Sequence, residues 1–320
     1  MKRWLTWIVS LLLLMPAMHL AGQQQGLYTM FMFNKLGLNP GYAGYHDHAC
    51  VSAIYRSQWL GFEGAPESQM VSIQGPVNQQ RIGLGLNLHR MSLGISSQVT
   101  LDGIYAYRIP MGSGTLSLGA QASVRQMRVD YSDPALRAVQ DLSFDPGVDI
   151  GTESKTVANF GAGLYFNTDR FYVGFSVPRL MNADIDFEEN NLFVSREEQH
   201  FYLMTGYVLK LDYTLDLVPQ VLVKYVNGAP VNVDINASIV WKRDYTFGLT
   251  ARTGGADGDT FDSLDALVAA RVARGLTLGV AYDLTLSELS KHANGSLELV
   301  LRYCFNEDAR QIKFENPRYF

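Results

Sequence analysis

The chain alternates. From about Ala49 to Phe305, apolar residues recur at every second position in fourteen short runs separated by turn-forming residues. In residues 82–88, Ile82, Leu84, Leu86 and Leu88 fall on one face, and Gly83, Gly85 and Asn87 on the other. Residues 116–125 repeat the pattern: Leu116, Leu118, Ala120, Ala122 and Val124 oppose Ser117, Gly119, Gln121, Ser123 and Arg125. Successive strand side chains point to opposite faces, so this period describes a sheet lying between two different solvents. Repeated around a closed sheet, it describes an outer-membrane β-barrel, apolar toward lipid and polar toward the lumen. The expected fold is therefore all-β, a 14-stranded antiparallel transmembrane barrel. A soluble sandwich or propeller is the alternative, but it needs a dry face on each sheet, and here the second face carries Arg, Gln, Asn, Ser and Gly.

The strands are expected at 49–57, 68–75, 80–89, 96–108, 115–127, 156–166, 170–178, 199–210, 214–225, 230–241, 244–254, 262–273, 276–286 and 295–305. An even number puts both ends of the barrel on one side, the periplasm in such proteins, with short turns there and longer loops outside. The connections expected on that side are short and rich in Gly, Pro, Asn and Asp, as in Gly75-Pro76-Val77-Asn78 and Asn167-Thr168-Asp169. The two longest connections, 128–155 and 179–198, fall on the opposite side and are acidic. They are either a solvated surface or a docking surface for a basic or cation-assisted partner.

Residues 1–22 read as a secretory signal: Lys2 and Arg3, an apolar run from Trp4 to Met18, then Ala21 and Gly22 before Gln23. The remaining divisions are an N-terminal periplasmic or lumenal segment at 23–48, the barrel at 49–305 and a periplasmic tail at 306–320. The 17 Tyr, 16 Phe and 4 Trp suit interfacial girdles in contact with outer-membrane lipid. A formal charge of −5 with scattered basic residues gives no reason to expect nucleic acid.

Two cysteines are present, Cys50 opening the first strand and Cys304 nearly closing the last. In a closed barrel those strands are neighbours, and the alternation turns both residues toward the lumen. They are either a disulfide stapling the seam, which an oxidising periplasm permits, or two small fillers. His46 and His48 are spaced like metal ligands, yet no third ligand is evident, so neither a metal nor a cofactor is expected. No G-x-S-x-G, H-E-x-x-H or P-loop pattern occurs, and an enzyme is not expected. Lumenal Arg56, Arg125, Arg252 and Arg271 would line a channel if the lumen were open.

Three other stretches stand out. YTMFMFNKLGLNPGYAG (Tyr28 to Gly44) precedes the barrel, YRSQWLGFEGAP (Tyr55 to Pro66) follows the first strand, and NPRYF (Asn316 to Phe320) ends the chain. Together they resemble the PorP/SprF family of outer-membrane proteins associated with type IX secretion, with Lys35 where many members have Pro and Gly41 in place of Ala. The resemblance implies a non-enzymatic barrel that supports secretion or surface anchoring of large adhesins and gliding proteins. Its implied partners are an exported surface protein with a C-terminal sorting domain and periplasmic secretion-ring or lipoprotein components. Physically, Asn34, Asn39, Pro40, Tyr42 and Gly44 belong to a tight irregular path that is either a lumenal plug or a periplasmic hook. Trp59, Gly61, Phe62, Gly64 and Pro66 make a compact outer turn, its aromatics either interface anchors or a partner-binding knob. Asn316, Pro317, Arg318, Tyr319 and Phe320 are either a docking tail or a disordered end.

Overall fold

A computed structural model describes residues 26, 28–133, 151–185, 197–253 and 261–305. The expected signal at 1–22, the tail at 306–320 and much of the two acidic connections lie outside these residues.

Fourteen antiparallel strands close into a barrel. They are β1 (Cys50–Ser57), β2 (Glu67–Val77), β3 (Ile82–Leu93), β4 (Ser96–Met111), β5 (Gly114–Asp130), β6 (Thr152–Asn167) and β7 (Phe171–Val177). β8 (His200–Tyr207) resumes after Val208 as Leu209–Lys210. Then come β9 (Leu215–Val226), β10 (Asn232–Trp241), β11 (Tyr245–Thr253), β12 (Ser263–Ala273), β13 (Leu276–Thr285) and β14 (Ser296–Cys304). Each strand pairs with its sequence neighbours, and β1 pairs with β14 from Cys50↔Cys304 to Ser57↔Leu297, which closes the ring. All fourteen expected strands are present, within four residues of their expected ends.

The alternation sorts side chains as expected. Leu84, Leu86, Leu88, Leu118 and Val124 face outward and are exposed, whereas Asn87, Ser117, Gln121 and Ser123 face inward and are buried. Among the described residues no helix is long and apolar enough to cross a membrane; the strands do so instead.

Three details differ from the sequence reading. β4, β5 and β6 have 16, 17 and 16 residues, against roughly 9–11 for a membrane crossing. They project past the apolar band at the loop end, where the outward residues become Gln126, Arg128, Ser154 and Thr156. Both ends of the expected 128–155 loop, 128–130 and 152–155, are therefore wall. The β3–β4 connection, also at the loop end, is only Gly94-Ile95, because both strands run on until Gly94 turns the chain at φ 53°. Finally, Arg271 has lumenal parity, but it lies at the rim beside Asp244, exposed, and lines no channel.

Candidate functional site

The lumen is occupied by the chain's own N-terminal segment. Residues 28–45 run inside the barrel as short turns: a 3-10 turn at Phe31–Phe33, helix α1 at Lys35–Leu38 and a second 3-10 turn at Pro40–Tyr42. Met30, Phe31, Lys35, Asn39 and Ala43 are completely buried there. Apolar side chains of the plug pack on inward residues such as Met70, Ile104, Tyr165, Met204 and Leu267 to form one core. The LNPGYAG motif explains the path. Asn39 caps the second 3-10 turn by accepting from Gly41 N–H at 2.8 Å, and Pro40 occupies its first position, where its fixed φ helps and its missing N–H costs nothing.

Two different devices hold the plug. On the β3–β7 side the wall is made of glycines. A Cβ on Gly83 would lie 2.0 Å from the Ala43 carbonyl oxygen, and one on Gly119 would lie 2.2 Å from the Gly41 nitrogen. One on Gly163 would lie 2.2 Å from Asn39 Oδ1. Gly44 itself sits at φ 70°, a left-handed conformation that glycine adopts without strain. Wall and plug thus meet backbone to backbone, and hydrogen bonds follow. Asn39 Nδ2 donates to the Leu164 carbonyl at 2.9 Å, Ser176 Oγ donates to the Leu38 carbonyl at 2.7 Å, and Arg108 donates to the Gly44 carbonyl at 2.6 Å.

On the side of β1, β13 and β14 the device is ionic. Glu298 accepts the backbone N–H groups of Thr29 and Met30 at 2.8 and 2.9 Å. Arg56 pairs with Glu298 at 3.1 Å and with Asp283 at 2.6 Å, and Thr29 Oγ1 donates to Asp283 at 2.7 Å. The network continues away from the plug. Arg252 lies 3.9 Å from Asp283 and 2.9 Å from Asp234, which also pairs with Lys224 at 2.8 Å. All these groups but the partly buried Lys224 are buried, so each charge depends on its partners to offset lost hydration.

The sequence matches the family described as type IX secretion system membrane protein PorP/SprF over residues 20–303, most of the chain. The chain belongs to the PorP/SprF family. This PorP/SprF protein is an outer-membrane β-barrel of the type IX secretion system, its lumen filled from the N-terminal side.

The rim motif behaves differently from the plug motif. Leu60 N–H donates to the Gly295 carbonyl, Asn294 N–H to the Leu60 carbonyl, and Gly94 N–H to the Gly64 carbonyl. Trp59-to-Pro66 is thereby clipped between the β3–β4 turn and the β13–β14 connection. Gly61 and Gly64 supply the positive φ of 86° and 71° that these bends need. Trp59 is half-buried and Phe62 is exposed.

Above the plug, toward the loop end, lies a cavity of about 400 Å³. Arg125 and Arg179 share Glu197 at 2.7 and 3.0 Å, Asn159 also donates to it at 3.1 Å, and His89 and His200 line the same cavity. Parity alone placed Arg125 inside; Glu197, 72 residues from Arg125, 38 from Asn159 and 18 from Arg179 along the chain, had no local signal.

At the turn end, Cys50 and Cys304 face each other across the β1–β14 seam with Cα atoms 4.0 Å apart and sulfurs 2.03 Å apart. A ring nitrogen of His46 and both sulfurs lie within 4.8 Å of one another. This third ligand type beside the cysteines was invisible to the linear spacing. The tail motif from Asn316 to Phe320 lies outside the described residues.

Among solved structures, the Omp33 outer membrane protein of Acinetobacter baumannii is similar at 8% identity, covering 82% of this chain and 100% of that one, with a TM-score of 0.46. The CymD monoaromatic hydrocarbon channel is similar at 12% identity, covering 85% and 93%, with a TM-score of 0.49. The deltaS2S3 mutant of the TodX monoaromatic hydrocarbon channel is similar at 10% identity, covering 84% and 93%, with a TM-score of 0.48. No curated protein matches the sequence.

Proposed function

We propose that this PorP/SprF barrel is a non-enzymatic docking scaffold of the type IX secretion system. It supports the export or surface anchoring of large adhesin or gliding proteins that carry C-terminal sorting domains. In this reading residues 1–22 are removed as a signal peptide and both mature termini lie in the periplasm. The loop end, with Trp59 and Phe62, faces the exported protein. The turn end and the tail Asn316 to Phe320 face periplasmic ring or lipoprotein components. A bridge between Cys50 and Cys304 keeps the seam closed.

The observation that supports a scaffold over a solute pore is the filled lumen: residues 28–45 occupy it and are bonded to wall strands on both sides. A barrel so filled offers two faces and a rigid body between them. The test is gentle extraction of tagged protein from native outer membranes, followed by identification of what co-purifies and by bilayer conductance. Co-purification of a large secreted protein or of periplasmic lipoproteins, with a silent bilayer, is expected. Steady ion conductance by the barrel purified alone would favour a pore for small solutes. Removal of Glu307 to Phe320 should weaken periplasmic association more than barrel assembly. Unchanged association with a correctly inserted truncated barrel would remove the tail from the proposal.

A further inference from the structure

The plug leaves the lumen at the turn end, and its exit brings one side chain to the seam. Tyr42 and Tyr45 stack with centroids 5.0 Å apart, and the His46 ring stands edge-on to both, at 5.9 and 5.4 Å. The Tyr42 hydroxyl is 3.3 Å from His46 Nε2. These contacts fix the ring's orientation. They place one of its nitrogens within 4.8 Å of both Cys50 Sγ and Cys304 Sγ. His46 is half-buried and the neighbouring His48 is exposed, so solvent reaches this point.

We propose that the seam is a two-state staple: a disulfide when oxidised, and a Cys50–Cys304–His46 site for a thiophilic divalent cation of the zinc type when reduced. Two thiolates and one imidazole are a donor set that zinc takes, with a water completing four-coordination. Ligand bonds of about 2.3 Å to sulfur and about 2.0 Å to nitrogen require the sulfurs to separate while the imidazole keeps its place. The chemistry balances. The S–S bond takes two electrons and two protons from a thiol reductant to give two thiols. Metal binding then releases those two protons as each sulfur donates a lone pair. In both states the first and last strands are cross-linked, so closure of the barrel would survive a change in periplasmic redox conditions. The eight paired positions between β1 and β14 hold the seam in register during the exchange.

The test uses the full folded barrel in detergent micelles, reduced with a phosphine under nitrogen, with Co²⁺ as the probe. One Co²⁺ per chain with a sulfur-to-cobalt charge-transfer band is expected for the reduced protein, and no band for the oxidised protein. Cys304→Ser should abolish the band. His46→Ala, a change outside the strands, should weaken binding at least about tenfold while leaving the heat-modifiable gel migration of a folded barrel intact. Zn²⁺ should slow thiol alkylation in the reduced wild type. The proposal is overturned if the reduced, folded wild type shows no band. It is also overturned if His46→Ala binds Co²⁺ as tightly as wild type, or if the reduced protein loses its folded migration.

Discussion

The two walls that grip the plug differ in kind. On the β3–β7 side, contact is steric: glycines remove the side chains, and plug and wall backbones meet directly. On the β1, β13 and β14 side, contact is ionic: Arg56, Asp283 and Glu298 reach inward and bind the plug through charge-assisted bonds. The difference sets what each wall tolerates. A steric wall fails with any added atom, whatever its polarity. An ionic wall keeps its shape under isosteric change but fails when one charge loses its partner.

The comparison is most easily broken at Gly119. Gly119→Val places atoms on the Gly41 backbone, which cannot yield as a flexible side chain would, so the plug should leave the lumen. New bilayer conductance and protease cleavage within residues 28–45 are expected, with a stability loss above about 4 kcal/mol. Gly103→Ala is the control: its added Cβ meets only the Ala122 carbonyl oxygen at 4.0 Å and should change neither property. If Gly119→Val stays silent and folded, the wall is not steric.

Glu298→Ala comes next. It removes the acceptor for two plug N–H groups and strips Arg56 of one carboxylate, which should cost about 3–5 kcal/mol in denaturant unfolding from lipid vesicles. Glu298→Gln, which keeps the shape, should recover part of that loss. Equal losses for both variants would mean that the charge does not matter. Cys304→Ser sharpens the ionic side, because the staple joins two of its strands. A loss of up to about 2–4 kcal/mol is expected under oxidising conditions, and none relative to wild type once both are reduced without metal.

Asn39→Ala tests the polar bonds within the steric side. It removes a donor to the Leu164 carbonyl and the cap on Gly41, for a cost of about 1–3 kcal/mol without loss of the plug. The smallest effect is at the rim. Phe62→Ala should change stability by less than about 0.5 kcal/mol, so any fall in co-purified surface protein would reflect docking alone.

The strands were legible because alternation is local: each run declares its two faces without reference to any other. Parity also placed Arg56, Arg125 and Arg252 inside, but it could not tell that Arg271, two residues from the end of its strand, sits at the exposed rim. The partners of those arginines were not legible. Asp283 and Glu298 lie more than two hundred residues from Arg56, and only closure of the ring brings them together. The same holds for the plug. The run from Leu38 to Gly44 specified a tight irregular path, but a hook below the barrel would need the same residues. What decided between them was Gly83, Gly119 and Gly163 on three separate strands, lined up along one path through the lumen.

By itself, then, the sequence determined the period of the wall, its strand number, its solvent on each side and its family. Only the tertiary structure decided what fills the lumen, which charges pair, and that His46 meets the two cysteines. The physical reason is range. Side-chain alternation is written within a few residues, whereas the fit of a plug and the pairing of buried charges depend on atoms that become neighbours only when the first and last strands join.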